Sequence, residues 1–335
     1  MCFMSHNFRY TSVMSIYIER FVEMRKAAGF TYFSPQWILK EIDDFYNMES
    51  LKEAVITKEI YRKWLMSRKT DGDCRIYSKA VMWRQLAQFM CLNGVKCEIP
   101  VPPRPSRQEH EPYVLNNNQI SAIFKAVDGM RMRYRNYNTA QFSIPAMFRF
   151  LYATGVRESE VVALNNEDLM IEQSVAIIKR TKNRRERYVP ISPSLKEVIL
   201  EYIEQRKKLP ISNTNDPASP LFIMPNGKRI GVESVYDWFR KAMDACGIPY
   251  YGNRVGPVVH SLRHTYAVHA LVKATRAGMD LTSSLPIISI CLGHKSIAAT
   301  EHYVRLTREM YPELIDKLQE TTVNIFPELN NQLRK

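Results

Sequence analysis

Apolar residues in the first hundred positions recur at helical spacing between short polar segments. The stretches "SIYIERFVEMRKAAGF" (15–30), "SPQWILKEIDDFYNM" (34–48), "TKEIYRKWLMSRK" (57–69) and "RIYSKAVMWRQLAQFMCLNG" (75–94) each carry such a pattern. Gly29 and Gly94 end two of them, and Ser34 with Pro35 suits a helix start. The apolar faces predicted to be buried in the first two helices are Tyr17, Phe21, Met24, Ala28 and Trp37, Ile38, Ile42, Phe45.

The second part of the chain mixes helical and strand patterns. Residues 143–169 predict a helix, a tight turn at Gly155 and another helix, and "SPSLKEVILEYIEQRKKL" predicts a helix with Ser192 or Ser194 near its start. Two β-branched or aromatic runs flank "TKNRR" and predict a hairpin, and "PLFIMPNGKRIG" predicts a short strand and turn. Helical patterns dominate after Ser234. The predicted fold class is mostly α with a small β-sheet or hairpin (α+β).

A proline-rich stretch divides the chain. Residues 98–114, "EIPVPPRPSRQEHEPYV", hold five prolines, which fix φ and remove hydrogen-bond donors. We therefore expect a helical domain over 1–98, an extended linker over 99–112 and a second domain over 113–335.

Composition points to a polyanionic partner. The formal net charge is +13, and a surplus of this size, spread through folded segments, favours nucleic acid over a membrane surface. No stretch has the roughly 20 uninterrupted apolar residues of a membrane span, and the first residues carry no signal-peptide pattern. The six cysteines form no CxxC pair and are expected to be reduced thiols in the cytosol.

Residues 260–269, "HSLRHTYAVH", hold three of the seven histidines. His260 and His264 lie four positions apart on one helical face, with Arg263 close to the same face. A zinc protease would place a glutamate directly after the first histidine, but Ser261 stands there, and a guanidinium between two ligands would repel a dication. Anion binding fits His260 and Arg263 better, whereas His269 is expected in the core.

Three other stretches carry candidates for anion binding. Arg157 in "ATGVRESEVVAL" follows a glycine turn at a helix start, where the helix dipole favours anions. Lys182 lies in the basic hairpin "KRTKNRRERY", and His294 in "LGHKSIAATEHY" precedes Tyr303 by nine residues. Each has an ordinary structural alternative as well. Arg157 could pair with Glu160, Lys182 could be solvated, and Tyr303 could be packing.

Together and in this order, these stretches resemble the tyrosine recombinases, also called the phage-integrase or DNA breaking–rejoining family. "TGVRESE" resembles the first arginine box of the family, "TKNRRERYVP" its β-hairpin, "HSLRH" its H-x-x-R box, and "LGH" with the later tyrosine its C-terminal motif. The resemblance covers residues from about 113 to 310. It implies that Glu160 supports Arg157 and that six residues are catalytic: Arg157, Lys182, His260, Arg263, His294 and the nucleophile Tyr303.

The resemblance implies a chemistry as well. Two arginines would clamp the phosphate oxygens without a metal ion or other cofactor. His260 would take or orient the Tyr303 proton, His294 would donate a hydrogen bond to the phosphate, and Lys182 would protonate the leaving 5′ oxygen. The product would be a 3′-phosphotyrosine. The helical first domain matches the core-binding domain of the family by position.

The expected partner is double-stranded DNA, bound by a protein that self-associates, as a tetramer on synapsed DNA, or acts with companion recombinases. The basic side chains expected to contact DNA are Lys63, Arg68, Lys69, Lys79, Arg84, Lys179, Arg180, Arg184, Arg185 and Arg187.

Two features refine this interpretation. The long segment between "HSLRH" and "LGH" is similar to the transposon-borne branch of the family, which predicts a role in integration, excision or transposition of a mobile element. Thr181 stands where the family has a glycine before the lysine. Two alternatives stay open from the sequence: a non-catalytic DNA-binding accessory protein on the same fold, and a type IB topoisomerase-like enzyme.

Overall fold

The computed structural model describes residues 8–30, 34–104, 111–130, 137–179, 186–212, 214–252 and 255–314. The chain forms two compact units, residues 1–110 and 111–335. Residues 315–335 of the predicted second domain and the hairpin tip with Lys182 lie outside the described residues.

The described part of the first unit is built from four helices, as the apolar spacing predicts. They are α1 Ser15–Ala27, α2 Ser34–Met48, α3 Lys58–Ser67 and α4 Asp73–Leu92. Aromatic side chains fill the core, where the rings of Trp64 and Trp83 lie 5.3 Å apart and Tyr46 stacks on Trp83. Such rings bury 150–250 Å² each, so they dominate the stabilisation of this small unit.

The buried faces of α1 and α2 differ from the prediction. Met24 is 43% exposed and Trp37 is 53% exposed, while Ile18 and Leu39 are fully buried instead. Phe21, Ile42 and Phe45 are buried as predicted. Both helices pack against α4, and which further residues are buried depends on this contact between segments distant in sequence. Trp37 still packs edge-on against Phe8, with 4.6 Å between ring centroids.

The start of the proline-rich stretch packs on the first unit. The Glu98 backbone N–H donates to the Ile56 carbonyl at 2.8 Å, and the Tyr61 hydroxyl donates to the Val101 carbonyl at 3.4 Å. Pro100 is buried. Residues 98–101 therefore follow the helical unit closely, and residues 105–110 are outside the described part.

The second unit is mostly helical with one small sheet, which confirms the predicted fold class. Its helices are α5 Asn117–Gly129, α6 Ile144–Thr154, α7 Glu158–Ala163, α8 Pro193–Lys207, α9 Val232–Ala245, α10 Val259–Arg276, α11 Leu281–Leu292 and α12 Ala298–Met310. Short 3₁₀ turns span Asn166–Asp168 and Pro312–Leu314. The predicted turn at Gly155 and the helix that starts after Ser192 are both present.

The sheet contains three antiparallel strands in the order β1 Leu169–Met170, β2 Val175–Ile178 and β3 Arg187–Pro190. In the register of β2 and β3, Ile178 lies opposite Arg187 and Val175 opposite Pro190. The predicted strand near residue 223 is reduced to isolated bridges, one between Asn165 and Pro220 and one between Ile223 and Arg229 around a tight turn.

Helix α10 is the central element of the second unit. Its first turn, through Val259 and Leu262, joins the large core formed by α5, α6, α8 and α9. Its later turns, through Val268 and Leu271, join a smaller core with α11 and α12. The α10 residues between the two cores include His260, Arg263 and His264. Within the described residues, no helix combines the length and apolar character needed to cross a membrane.

Candidate active site

Arg157 lies at the turn between α6 and α7. Gly155 ends α6 in the left-handed region at φ 65°, and Arg157 has extended backbone angles directly before α7. Glu160 holds it twice: the Arg157 backbone N–H and its Nη1 each donate to the carboxylate at 2.9 Å. Burial favours the protonated carboxyl, but hydrogen bonds from Arg187 and the Arg157 backbone, with the charges of both arginines, lower the Glu160 pKa overall.

Arg263 is buried, and its guanidinium binds backbone carbonyls at the C-terminal ends of α6 and α11. Its Nη1 donates to the Gly155 carbonyl and its Nη2 to the Leu292 carbonyl, both at 2.7 Å. Burial and the nearby Arg157 charge lower its pKa to about 10, so it stays protonated at neutral pH. A guanidinium has five N–H donors, and two carbonyls leave donors for an anion.

His294 lies in the turn after α11. Gly293 ends this helix with φ 67°, and His294 Nδ1 is 2.8 Å from the Thr300 hydroxyl. Burial, followed by the charges of Arg263 and Arg157, lowers the His294 pKa to about 4. The ring is therefore neutral at physiological pH and can donate one N–H without adding charge.

Tyr303 lies on α12 with its hydroxyl turned into the unit. The residue is 4% exposed, and its hydroxyl is 2.9 Å from His264 Nδ1. Burial raises the Tyr303 pKa, while the charges of Arg263 and Arg157 oppose this shift. The His294 ring stacks parallel to the Tyr303 ring, with 6.2 Å between centroids.

His260 lies one turn before His264 on α10. Its Nδ1 is 3.8 Å from a carboxylate oxygen of Glu158, and its ring centroid is 4.8 Å from that of His264. The proximity of the His260 imidazole is the main cause of the lowered pKa of Glu158. His260 also contributes to the lowered pKa of His294, so both imidazoles lie in one electrostatic site.

The structure thus brings five of the six predicted catalytic residues into one site, and the sixth, Lys182, lies outside the described residues. Three residues of this site were not assigned a role from the sequence, and one of them, Glu158, lies beside His260. His264 contacts the Tyr303 hydroxyl, and Thr300 contacts His294. The four-residue spacing of His260 and His264 was a signal for the first, since it places both imidazoles on one face of α10.

Arg187 lies in the interior of the second unit and not at the surface, where a DNA contact is expected. Its side chain is 7% exposed, and it donates to both oxygens of Glu160. A buried guanidinium held by a carboxylate is not available to a DNA phosphate, so the expected DNA contact is corrected. Lys79 is corrected for a related reason: its side chain is 12% exposed and pairs with Glu41 and Asp71, both at 2.7 Å.

The other expected DNA contacts vary in exposure. Lys69 and Arg84 are exposed. Ion pairs engage Lys63 with Glu49 and Arg68 with Glu41. Lys179 pairs with Asp168 at 2.8 Å. Arg180, Arg184 and Arg185 lie outside the described residues.

Chemically, the site combines positive charge, neutral donors and a buried hydroxyl. The guanidiniums of Arg157 and Arg263 favour a negatively charged group with several oxygens. The neutral imidazole of His294 adds a hydrogen-bond donor. Among the described residues, no three His, Cys, Asp or Glu side chains gather as a metal-binding group. A tyrosine hydroxyl beside two guanidiniums is the arrangement expected of a phosphoryl-transfer site.

Comparison with known proteins agrees with this class. The sequence profile of the phage integrase family matches residues 113–310. The tyrosine recombinase XerC of Halalkalibacterium halodurans is 32% identical over 281 residues, which cover 81% of this chain and 85% of that protein. The tyrosine recombinase XerA of Pyrococcus horikoshii is 26% identical over 247 residues, covering 72% of this chain and 74% of that one. The chain belongs to the phage integrase family, and it is a tyrosine-type site-specific DNA recombinase.

The fold is also shared with solved structures. The integrase of the transposon Tn1549, in complex with transposon right end DNA, has a TM-score of 0.63 at 15% identity, covering 86% of this chain and 94% of that one. At this identity the likeness concerns the fold.

Proposed function

We propose that Tyr303 is the nucleophile that cuts DNA and that the site holds one backbone phosphate between Arg157 and Arg263. The Tyr303 oxygen bonds to phosphorus, the bond from phosphorus to the 5′ oxygen breaks, and a 3′-phosphotyrosine results. The observation that carries this proposal is the buried Tyr303 hydroxyl, 2.9 Å from His264 Nδ1 in the site that also holds Arg157 and Arg263. Because the phosphodiester energy is kept in the new bond, rejoining needs no nucleotide cofactor.

The two arginines stabilise the charge that builds on the phosphate oxygens. Removing one such preorganised donor typically costs about 100- to 1,000-fold in rate. His294, being neutral, adds a hydrogen bond to the same oxygens. Lys182 is proposed to protonate the leaving 5′ oxygen, on the strength of its place in the hairpin motif.

The proton of Tyr303 requires an acceptor because a free tyrosine has a pKa near 10. Before DNA binds, the hydroxyl is held by His264 and not by His260. We assign this holding role to His264. His260, with its ring 4.8 Å from that of His264, remains the proposed acceptor once DNA is bound.

We further propose that the protein acts on double-stranded DNA of a mobile element, as a tetramer on synapsed sites or with companion recombinases. The net charge of +13 and the fold shared with a transposon integrase that was solved on transposon end DNA support this proposal.

A nicked duplex that carries the sequences flanking the encoding gene tests the nucleophile. Cleavage next to the nick releases a short fragment and traps the protein covalently. The unchanged protein should form a denaturant-resistant adduct. Tyr303→Phe should bind the duplex within about twofold of the unchanged affinity, since a single buried hydroxyl contributes little to phosphate contacts, and should form no adduct.

Tyr311→Phe is the matched control, because Tyr311 is a partly buried tyrosine of the same core without a proposed role. It should form the adduct at the unchanged rate. An adduct with Tyr303→Phe would contradict the assignment.

A further inference from the structure

Arg187 is the first residue of β3, and all three nitrogens of its guanidinium donate hydrogen bonds. Nη1 and Nη2 donate to the two oxygens of Glu160 at 3.1 and 2.6 Å. Nε donates to the Cys291 carbonyl at 2.8 Å. The side chain is 7% exposed, so these contacts hold a charge that water cannot screen.

Glu160 is shared between two arginines. Its Oε1 accepts from Arg157 Nη1 at 2.9 Å and from Arg187 Nη1 at 3.1 Å. Oε2 also accepts the Arg157 backbone N–H at 2.9 Å. Without Arg187, each carboxylate oxygen would still have room to accept a guanidinium N–H of Arg157, in the bidentate manner that arginine and carboxylate prefer. Arg157 would then be neutralised and turned away from a phosphate. Arg187 competes for the carboxylate and keeps Arg157 to one side-chain contact.

Arg187 also supports the turn that carries His294. A Cβ added at Gly293 would lie 2.9 Å from Arg187 Nη1, so the guanidinium packs directly against this turn. Arg187 binds the Cys291 carbonyl, and Arg263 binds the next one, that of Leu292. Two adjacent carbonyls of the last turn of α11 are therefore fixed by arginines from β3 and α10.

We propose that Arg187 is a positioning residue for DNA cleavage: through Glu160 it sets the placement and free charge of Arg157, and through Cys291 it fixes the turn with His294. This inference rests on the proposed cleavage by Tyr303. It assigns Arg187 to the reaction and not to the DNA surface.

Arg206 offers a matched control within the same unit. Its guanidinium is also buried, at 2% exposure for the residue, and binds Asn166 at 2.9 Å and the Leu221 carbonyl at 2.7 Å. These partners are outside the candidate active site. Changing Arg206 therefore tests what the loss of a buried arginine does to folding alone.

The experiment measures single-turnover cleavage of the nicked trapping duplex and, separately, its dissociation constant. The variants are Arg187→Gln, Arg187→Lys and Arg206→Lys, each in the unchanged protein and in Arg157→Lys. We expect Arg187→Gln to lower the cleavage rate constant about 100-fold and to leave the dissociation constant within about threefold. Arg187→Lys should be intermediate, because an ammonium keeps the charge but not the fork.

In the Arg157→Lys background, Arg187→Gln should lower the rate by no more than about 10-fold, because the contribution through Arg157 is already lost and only the support of the His294 turn remains. Arg206→Lys should lower the melting temperature and leave the cleavage rate of the folded protein within about threefold in both backgrounds. If Arg187→Gln does not fold, Arg187→Lys gives the same comparison.

An unchanged cleavage rate in the Arg187 variants would overturn the inference while the proposed function stands. Equal losses in both backgrounds would overturn it too, because they would indicate a role independent of Arg157. Failure of the unchanged protein to form an adduct would overturn the proposed function itself.

Discussion

Arg263 shows how a single side chain builds this site. Its two hydrogen bonds reach carbonyls that lie 108 and 29 positions away in sequence. The H-x-x-R spacing was sufficient to predict that His260 and Arg263 share a region of α10. The spacing was not sufficient to predict that Arg263 binds carbonyls at the ends of both α6 and α11. Only tertiary packing brings these two carbonyls close to Arg263.

His294 makes a pH-dependent contribution to stability. Its folded pKa of about 4 lies below the ordinary value of 6.5, so the unfolded chain binds more protons between these values. Stability should therefore be fully present above about pH 6.5 and fall as the pH drops toward 4. The loss should be about 2–3 kcal/mol after allowance for partial solvent screening.

Urea unfolding of the unchanged protein and of His294→Gln between pH 4.5 and 7.5 measures this contribution. The variant should lose less stability on acidification. A smaller dependence should remain, because burial also lowers the His269 pKa. Identical pH profiles for both proteins would contradict the assignment of a half-buried, neutral His294.

At the scale of elements, the C-terminal ends of two helices are part of the site. Helices α6 and α11 both end at a glycine in the left-handed region, and Arg263 binds a carbonyl at each end. The apolar spacing predicted the helices and the Gly155 turn. It predicted the wrong faces for Met24 and Trp37, because a helical period does not say which neighbours a face will meet.

Two features of the structure require glycine at position 155. Its φ is +65°, and an added Cβ would lie 2.3 Å from Tyr266 Cδ1. We expect Gly155→Ala to destabilise the protein by about 2–5 kcal/mol, from backbone strain of about 1–2 kcal/mol plus overpacking of about 1–3 kcal/mol. Because Arg263 binds the Gly155 carbonyl, DNA cleavage should fall as well.

Gly278→Ala separates the two causes. Gly278 has a similar φ of +78° but nothing within 4 Å of an added Cβ, so it should cost only the strain of about 1–2 kcal/mol. Chemical denaturation of both variants gives the comparison. Equal costs would mean that Tyr266 yields to the new methyl group.

At the scale of the whole molecule, positive charge is the feature that sequence predicted most directly. The net charge of +13 indicated a polyanion, and the order of four motifs indicated which one. Individual DNA contacts were less predictable. Lys79 and Arg187 are held in ion pairs, and only their acidic partners, distant in sequence, could have revealed this.

Exposed cations of the first unit should contribute to the salt dependence of DNA binding. Each phosphate contact adds about 0.9 to the slope of log affinity against log salt. The double variant Lys69→Gln/Arg84→Gln should lower this slope by up to about 2. Lys79→Gln is the control and should leave the slope unchanged, because Lys79 already pairs with Glu41 and Asp71.

Fluorescence titrations of a labelled duplex between 50 and 300 mM salt give these slopes. If the unchanged protein and both variants have the same slope, the first unit contributes no phosphate contacts through Lys69 and Arg84.

The most direct test of Tyr303 as the nucleophile is to locate the DNA in the trapped adduct. The adduct formed on the nicked duplex is digested with nuclease and protease, and the modified peptide is sequenced by mass spectrometry. We expect a 3′-phosphonucleotide on the hydroxyl of Tyr303. A nucleotide on Tyr266, Tyr311 or any other side chain would contradict it.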